Sequence, residues 1–242
     1  MIHLKLFFIR KIKALSLKLR IYYFIEIFSF PLMSLLYLSK FSKWRANIPK
    51  LPFDDFYNGN VNYNDRFKLH KYVFDSEKLS GPIDYLEFGV GEGVSFKWWV
   101  NQNKNSESRF FGFDTFTGIP EDFGVIRKND YNTKGSFPDV NNDQRCNFMS
   151  GMFQDSLLPF IKNMQWKNRK VIHMDADLYS STWFVLASLF PYLNKNDIIM
   201  FDEYGVPMHE FKAFHEFIHA FKLKYKILGA VNNYLQIAII VE

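Results

Sequence analysis

Asp84-Tyr85-Leu86-Glu87-Phe88-Gly89-Val90-Gly91-Glu92-Gly93 decides how the rest of the chain is read. An apolar run holding one acid and closed by three alternating glycines predicts a strand that enters a tight turn. Glycine has no Cβ, so Gly89, Gly91 and Gly93 permit positive φ and let a ligand lie against the backbone. Such a turn at the C-terminal end of a strand is where open α/β sheets take small molecules. The spacing is Gly-x-Gly-x-Gly after Glu-Phe rather than the Gly-x-Gly-x-x-Gly of dinucleotide binders. A carboxylate at Glu87 repels a pyrophosphate; a cationic ligand, such as the sulfonium and amino group of S-adenosylmethionine (SAM), suits it better.

Downstream, three further apolar strands end in acids. Arg109 to Phe113 delivers Asp114, about where an adenosine-binding α/β unit places a ribose ligand, and a carboxylate there accepts from both ribose hydroxyls. Lys170 to Tyr179 delivers Asp175 and Asp177, and Ile198 to Phe201 delivers Asp202 and Glu203. Four unpaired acids on one sheet edge repel one another, which makes a cation the simpler account of them. Between these strands, Val94 to Asn101, Phe153-Gln154-Asp155-Ser156 onward, Ser180 to about Leu193 and His209 to Lys224 read as helices, and Arg145 to Met149 as a strand. The polar stretch 115–144, punctuated by Gly and Pro, is long for a simple connection and reads as a lid or substrate segment. Its Phe116, Phe123 and Phe137 either line a pocket or anchor the loop.

At the C-terminus, Tyr225 to Val231 and Tyr234 to Val241 are joined at Asn232-Asn233, which tolerate positive φ and suit a hairpin. The expected fold is therefore α/β: a Rossmann-like, mostly parallel sheet with a C-terminal antiparallel hairpin and helices on both faces. Upstream of the glycine turn, Asp65 to Leu79 reads as a helix and 46–64, rich in Pro, Gly and Asn, as a linker.

At 242 residues the chain suits one such domain plus an appendage, and 28 Phe with 48% hydrophobic residues argue for a packed core. The lone Cys146 excludes an internal disulfide and a cysteine-based zinc cluster, and a reducing, cytoplasmic setting fits it. The net charge of +5 is uneven: residues 1–45 hold nine Lys or Arg against Glu26 alone, so the remainder is acidic in balance. That excludes a uniformly basic nucleic-acid binder. We therefore expect a basic, apolar helical segment over 1–45 and a catalytic domain over 46–242. Three readings of the segment stand: helices packed on the domain or on a second subunit, a helix on the inner face of an anionic membrane, or a true span across 21–38, which Glu26 and Pro31 weaken.

Two other patterns are read as structural. His215-Glu216-Phe217-Ile218-His219 matches the H-E-x-x-H zinc pattern, but few residues follow to supply a third ligand, so a solvent-edge histidine pair is expected. His173 lies inside a strand and reads as packed.

Four ordered blocks, Tyr85 to Gly93, Gly112-Phe113-Asp114-Thr115-Phe116-Thr117-Gly118-Ile119-Pro120-Glu121, Asp175 to Thr182 and Phe201-Asp202-Glu203-Tyr204, resemble the signature blocks of the macrocin-type (TylF-like) O-methyltransferases over roughly residues 60–240. The resemblance implies a class I SAM-dependent methyltransferase fold, a divalent metal, usually Mg2+, and methylation of a hydroxyl, often on a sugar. It implies that Glu87, Phe88, Gly89, Gly91 and Gly93 hold the methionine part of SAM, Asp114 its ribose, and Gln154 and Asp155 approach its adenine. Asp175, Asp202 and Glu203 would bind the metal, with Glu203 departing from the family's frequent second Asp. Asp177 or a neighbour would serve as base, with Asp177 and Asp175 the catalytic pair. The rival expectations are a nicotinamide-dependent sugar oxidoreductase and a non-catalytic scaffold of the same fold.

Overall fold

Alternation along β2 (Ile83–Phe88) organises the larger part of the molecule, because successive side chains of a strand leave on opposite faces. Tyr85 stacks at 5.2 Å on Trp99 of α4 (Val94–Gln102), while Phe88 meets Phe153 of α5 (Phe153–Asn163) edge-on at 5.4 Å. Both faces of the strand are buried, and helices cover both.

The computed structural model describes residues 2–242, which divide by their contacts into Met1–Ala46 and Asn47–Glu242. The first unit is two helices, α1 (Ile2–Lys18) and α2 (Tyr22–Ala46), parted at Arg20, whose φ is +49°. No residue of α1 is buried.

The second unit is built on one eight-stranded sheet. Besides β2 it contains β1 (Phe53–Asp54), β3 (Arg109–Asp114), β4 (Cys146–Ser150), β5 (Arg169–Met174), β6 (Ile198–Phe201), β7 (Tyr225–Val231) and β8 (Gln236–Val241). Their spatial order is β1-β7-β8-β6-β5-β2-β3-β4. Every pairing is parallel except those of β8, which runs against both β6 and β7. The mostly parallel sheet with its C-terminal hairpin is thus as the sequence led us to expect. The remaining helices are α3 (Arg66–Ser76), α6 (Tyr179–Leu189) and α7 (Glu210–Phe221).

Three local expectations change. The stretch 46–64 is more than a linker: it adds β1, parallel to β7, and a 3-10 turn at Tyr63–Asp65 that runs into α3. The helix expected to reach Leu193 ends at Leu189 and tightens into a 3-10 turn around Pro191, which lacks the N–H to continue it. The β7–β8 turn is longer than two residues, since Asn232, Asn233 and Tyr234 all take positive φ and β8 starts at Gln236. Asn232 and Asn233 are spent on the 55–62 segment: the amide of Asn233 accepts from Asn58 N at 2.8 Å, and Asn232 both donates to Asn62 O and accepts from Asn62 N.

Below the site, two ion pairs, each on a buried carboxylate, fix the N-terminal strand ends. Arg109 grips Asp84 with two hydrogen bonds of 2.9 and 2.7 Å, and Lys170 meets Asp197 at 2.9 Å with both side chains almost wholly buried. Removing one partner of such a pair leaves an uncompensated interior charge. Lys170→Met should therefore destabilise the protein by about 3–5 kcal/mol in urea unfolding; a loss below about 1 kcal/mol, the range of surface pairs, would contradict this account.

Candidate active site

The chain leaves β2 outward to β3 and β4, then returns to place β5 and β6 on β2's other side, so a crevice opens at the C-terminal ends of β2 and β5. There the two strand ends come so close that a Cβ on Gly89 (φ +94°) would lie 1.8 Å from the carbonyl oxygen of Asp175. Gly91 (φ +51°) faces open space instead, and its N–H donates at 2.7 Å to Asp114 Oδ2. Asp114 Oδ1 accepts from Phe116 N at 2.7 Å, so this carboxylate holds the glycine turn and the root of the 115–144 loop together.

Between them lies a cavity of about 720 Å³, the size of a small-molecule site. Glu87, Gly89, Gly91, Asp114 and Gln154 line the side nearer the glycine turn, and Asp175, Asp177 and Glu203 line the side beyond. Asp177 sits there with φ +56°. Four other expected residues are not at the cavity wall. Phe88 points to the opposite face and stacks on Phe113 at 4.7 Å. Gly93 is the left-handed residue before α4, where a Cβ would strike Pro138. Asp155 is exposed in the first turn of α5, and Asp202 is wholly buried behind the wall.

The long loop forms the roof. Ile119, Ile126, Tyr131 and Thr133 line the cavity, whereas Phe116 and Phe137 pack on Phe148, and Phe123 on His209. Of the two readings of those phenylalanines, anchoring is the one observed. Backbone bonds from Ile119 N to Asp130 O and from Gly135 N to Phe116 O brace the loop against itself.

No local signal in the chain warns of what holds Asp202. His173, read as merely packed, is a buried charged link. Its Nδ1 lies 3.1 Å from the Tyr85 hydroxyl and 3.4 Å from Glu87 Oε2, and its Nε2 lies 3.9 Å from Asp202 Oδ1. Burial alone would lower its pKa, but Asp202 and Glu87 hold the ring protonated up to about 10. The Tyr85 hydroxyl donates to Glu87. On the other side, Arg66 Nη1 donates to Asp202 Oδ2 at 2.9 Å, and the Tyr63 hydroxyl donates to the same oxygen. Burial would raise Asp202, yet His173 and Arg66 outweigh it and keep its carboxyl at about 2. Arg66 and Tyr63, unlike Asp202, line the cavity. The periodicity signal for α3 includes Arg66 but says nothing of its partner 136 residues away.

The other acids carry the opposite perturbation. Burial, then Asp202, pushes Asp175 well above the usual carboxylate range, and burial with neighbouring acids raises Asp177 and Glu203 each to about 7. Glu203 is oriented by Glu210 of α7, which accepts the Glu203 N–H at 3.0 Å.

A divalent metal does not fit the donor set as it stands. Asp175 and Glu203 face the cavity, but both oxygens of Asp202 face cations, Arg66 on one side and His173 on the other. No group of three or more His, Cys, Asp or Glu among the described residues is arranged to hold a metal ion. The set Asp175, Asp202 and Glu203 that the resemblance implies is thus divided, with Asp202 turned to Arg66 rather than to the cavity. In the H-E-x-x-H stretch, His215 and His219 meet edge-on at 4.6 Å, and Glu216 accepts from the Tyr179 hydroxyl, tying α7 to α6.

The macrocin-O-methyltransferase (TylF) family model matches residues 73–234. Among solved structures, CalS11, a calicheamicin methyltransferase, is similar with a TM-score of 0.56 and 22% identity over 74% of this chain and 77% of that one. Another structure of it is described as a TDP-rhamnose 3'-O-methyltransferase. The O-methyltransferase NovP has a TM-score of 0.50 and 18% identity over 71% and 77% of the two chains. TomG from Streptomyces achromogenes, an O-methyltransferase solved with SAM, has 0.51 and 12% over 77% and 83%. No curated protein sequence is detectably similar.

Both Gly89 and Gly91 take positive φ, but only Gly89 abuts backbone. Gly89→Ala should destabilise the protein by about 2 kcal/mol or more beyond Gly91→Ala, whose cost is the about 1 kcal/mol of a left-handed residue. Urea unfolding of the two variants checks this, and equal losses would place the strain elsewhere.

Proposed function

The chain belongs to the macrocin-O-methyltransferase (TylF) family, and from that premise we propose that it transfers a methyl group from SAM to a hydroxyl of a sugar or glycosylated metabolite. The observation that carries the reading is the single cavity wall in which a glycine cradle, Glu87 and Asp114 adjoin the acids Asp175, Asp177 and Glu203. The likeness to CalS11, a TDP-rhamnose 3'-O-methyltransferase, supports a sugar acceptor.

The residues present suit SAM. Gly89 leaves no room for a side chain and Gly91 leaves open space, so a ligand lies on bare backbone. Glu87 supplies the negative charge for an amino group, and Asp114 keeps free lone pairs for ribose hydroxyls beyond the two backbone N–H groups it binds. Gln154 and Met152 line the wall on which an adenine would rest. When bound, SAM supplies a methyl carbon on a sulfonium that leaves as a neutral thioether. The acceptor oxygen gains that methyl and loses its proton. Asp177, at the cavity wall, takes the proton in this reading, and Glu203, whose backbone N–H is held by Glu210, faces the same space. The roof formed by Ile119, Ile126 and Tyr131 would screen a bound acceptor from water, and positioning would supply much of the acceleration.

The N-terminal unit carries a second element of the proposal, an anionic membrane surface as its partner. α2 is 25 residues long, contains an 18-residue window of mean hydropathy 1.4, and leaves nearly all of it exposed. α1 exposes Leu4, Phe7, Ile9 and Ile12 among its lysines. Exposed apolar surface interleaved with basic residues matches the chemistry of an anionic lipid interface.

Two measurements test these readings. Asp177→Asn should reduce methyl transfer from labelled SAM by about a hundredfold or more, the share of a general base, with SAM affinity measured by calorimetry changed less than about threefold; SAM binding by neither protein would end the methyltransferase reading. In vesicle flotation the whole chain should rise with vesicles containing phosphatidylglycerol and not with neutral phosphatidylcholine. Glutamate at Lys5, Lys11, Lys13 and Lys18 should abolish the difference, and a chain that stays at the bottom in both would remove the membrane partner.

A further inference from the structure

We infer that the Arg66 guanidinium, clamped on Asp202, is the fixed cation of the acceptor side of the cavity, in the place where the family resemblance led us to expect a divalent metal. The inference rests on the SAM-dependent reading of the same site, and it concerns which positive charge the acceptor hydroxyl meets there.

Three observations carry it. Asp202 is wholly buried and absent from the cavity wall, while Arg66 and Tyr63, bonded to its Oδ2, are part of that wall. A metal on Asp202 would have to displace both. Second, the guanidinium is built into position. Its Cζ lies 4.4 Å over the Tyr63 ring and 5.0 Å from the centre of the Phe67 ring, and its Nε is buried without a hydrogen-bond partner. Third, the turn that carries Tyr63 and Arg66 is tied to the strand beside Asp202 by side-chain amides. Asn232 bonds to both backbone groups of Asn62 and donates to Gln236 Oε1 at 2.8 Å, and Gln236 donates to the Asp202 carbonyl at 3.0 Å. The position of Arg66 is thereby set by the same network that sets Asp202.

The chemistry is sufficient without coordination. A guanidinium is a permanent cation with several donors in one plane, and in a water-poor wall its field favours the oxygen that develops negative charge as the hydroxyl loses its proton. It cannot act as a Lewis acid, so the proton must go to a cavity carboxylate, the role Asp177 fills. Asp175 and Glu203 then remain as the acids facing that cation across the wall, in place of a ligand set.

Manganese(II) titration of the 242-residue protein, followed by electron paramagnetic resonance, tests this with a readout independent of turnover. Wild type should bind no stoichiometric Mn2+ at micromolar concentration, and its methyl transfer should survive EDTA. Arg66→Gln frees Asp202 and should bind Mn2+ about tenfold or more tightly than wild type. It should also lose most of its activity, with partial return on adding free guanidinium, a rescue that a purely structural role does not give. Stoichiometric Mn2+ on wild type, or activity lost to EDTA and restored by Mg2+, overturns the inference even if the Arg66→Gln protein fails to fold. SAM calorimetry on the same wild-type sample separates the two claims. SAM binding together with tight Mn2+ overturns only the guanidinium, whereas no SAM binding overturns the methyltransferase reading and this inference with it.

Discussion

A carboxylate that is wholly buried keeps its charge only if cations are brought to it, and much of the second unit is arranged to bring them to Asp202. Its two oxygens face His173 and Arg66, which come from β5 and from the first turn of α3. His173 in turn faces Glu87 on β2, its neighbour across the sheet, so one alternating run of charges, Glu87, His173, Asp202 and Arg66, joins two parts of the cavity wall through the buried His173 and Asp202. The Tyr85 and Tyr63 hydroxyls complete it at either end. Such a network is costly to break at any one member, because each loss strands the next charge in a low-dielectric interior. The glycine-turn side and the Arg66 side of the cavity are therefore mechanically one object.

The sheet was legible because its signals are local. Strand β2, its glycine turn and the acid-ended strands β3, β5 and β6 announce themselves within ten residues each, and so does the Asn232-Asn233 turn. Gly89, Gly91, Asp114, Asp175, Asp177 and Glu203 reach the cavity for the same reason: each lies at or just beyond a strand end. The Phe88 side chain lies off the cavity because alternation sends it to the face opposite Glu87, a consequence of strand period that the motif block conceals. Gly93 serves the close approach of Pro138, and Asp155 a helix turn.

What sequence could not show is long-range. Tyr63 falls at the end of a stretch that reads as a linker and Arg66 at the start of the helix after it, and nothing near them in the chain points to an acid 136 positions on from Arg66. His173 looks like any apolar-flanked strand residue until Glu87 and Asp202 are seen on either side of it. A resemblance that assigns Asp202 to a metal is silent about the arginine that meets it. The N-terminal helices belong to another category: their composition speaks to the chemistry of a partner rather than to the chemistry of the site.

The amide tether between Asn62 and the β7–β8 turn has a consequence for the order in which the protein is made. The glycine turn and Asp114 leave the ribosome early, and the pieces of a cofactor cradle are all present once β5 is out. The seat of Arg66 is not, because Asn232 and Gln236 follow every residue of the cavity wall in the chain. A chain cut ahead of β8 thus keeps every residue of the cavity wall but loses the amide that ties the seat of Arg66 to Asp202. The placement of one wall residue therefore waits on a hairpin that lies outside the wall.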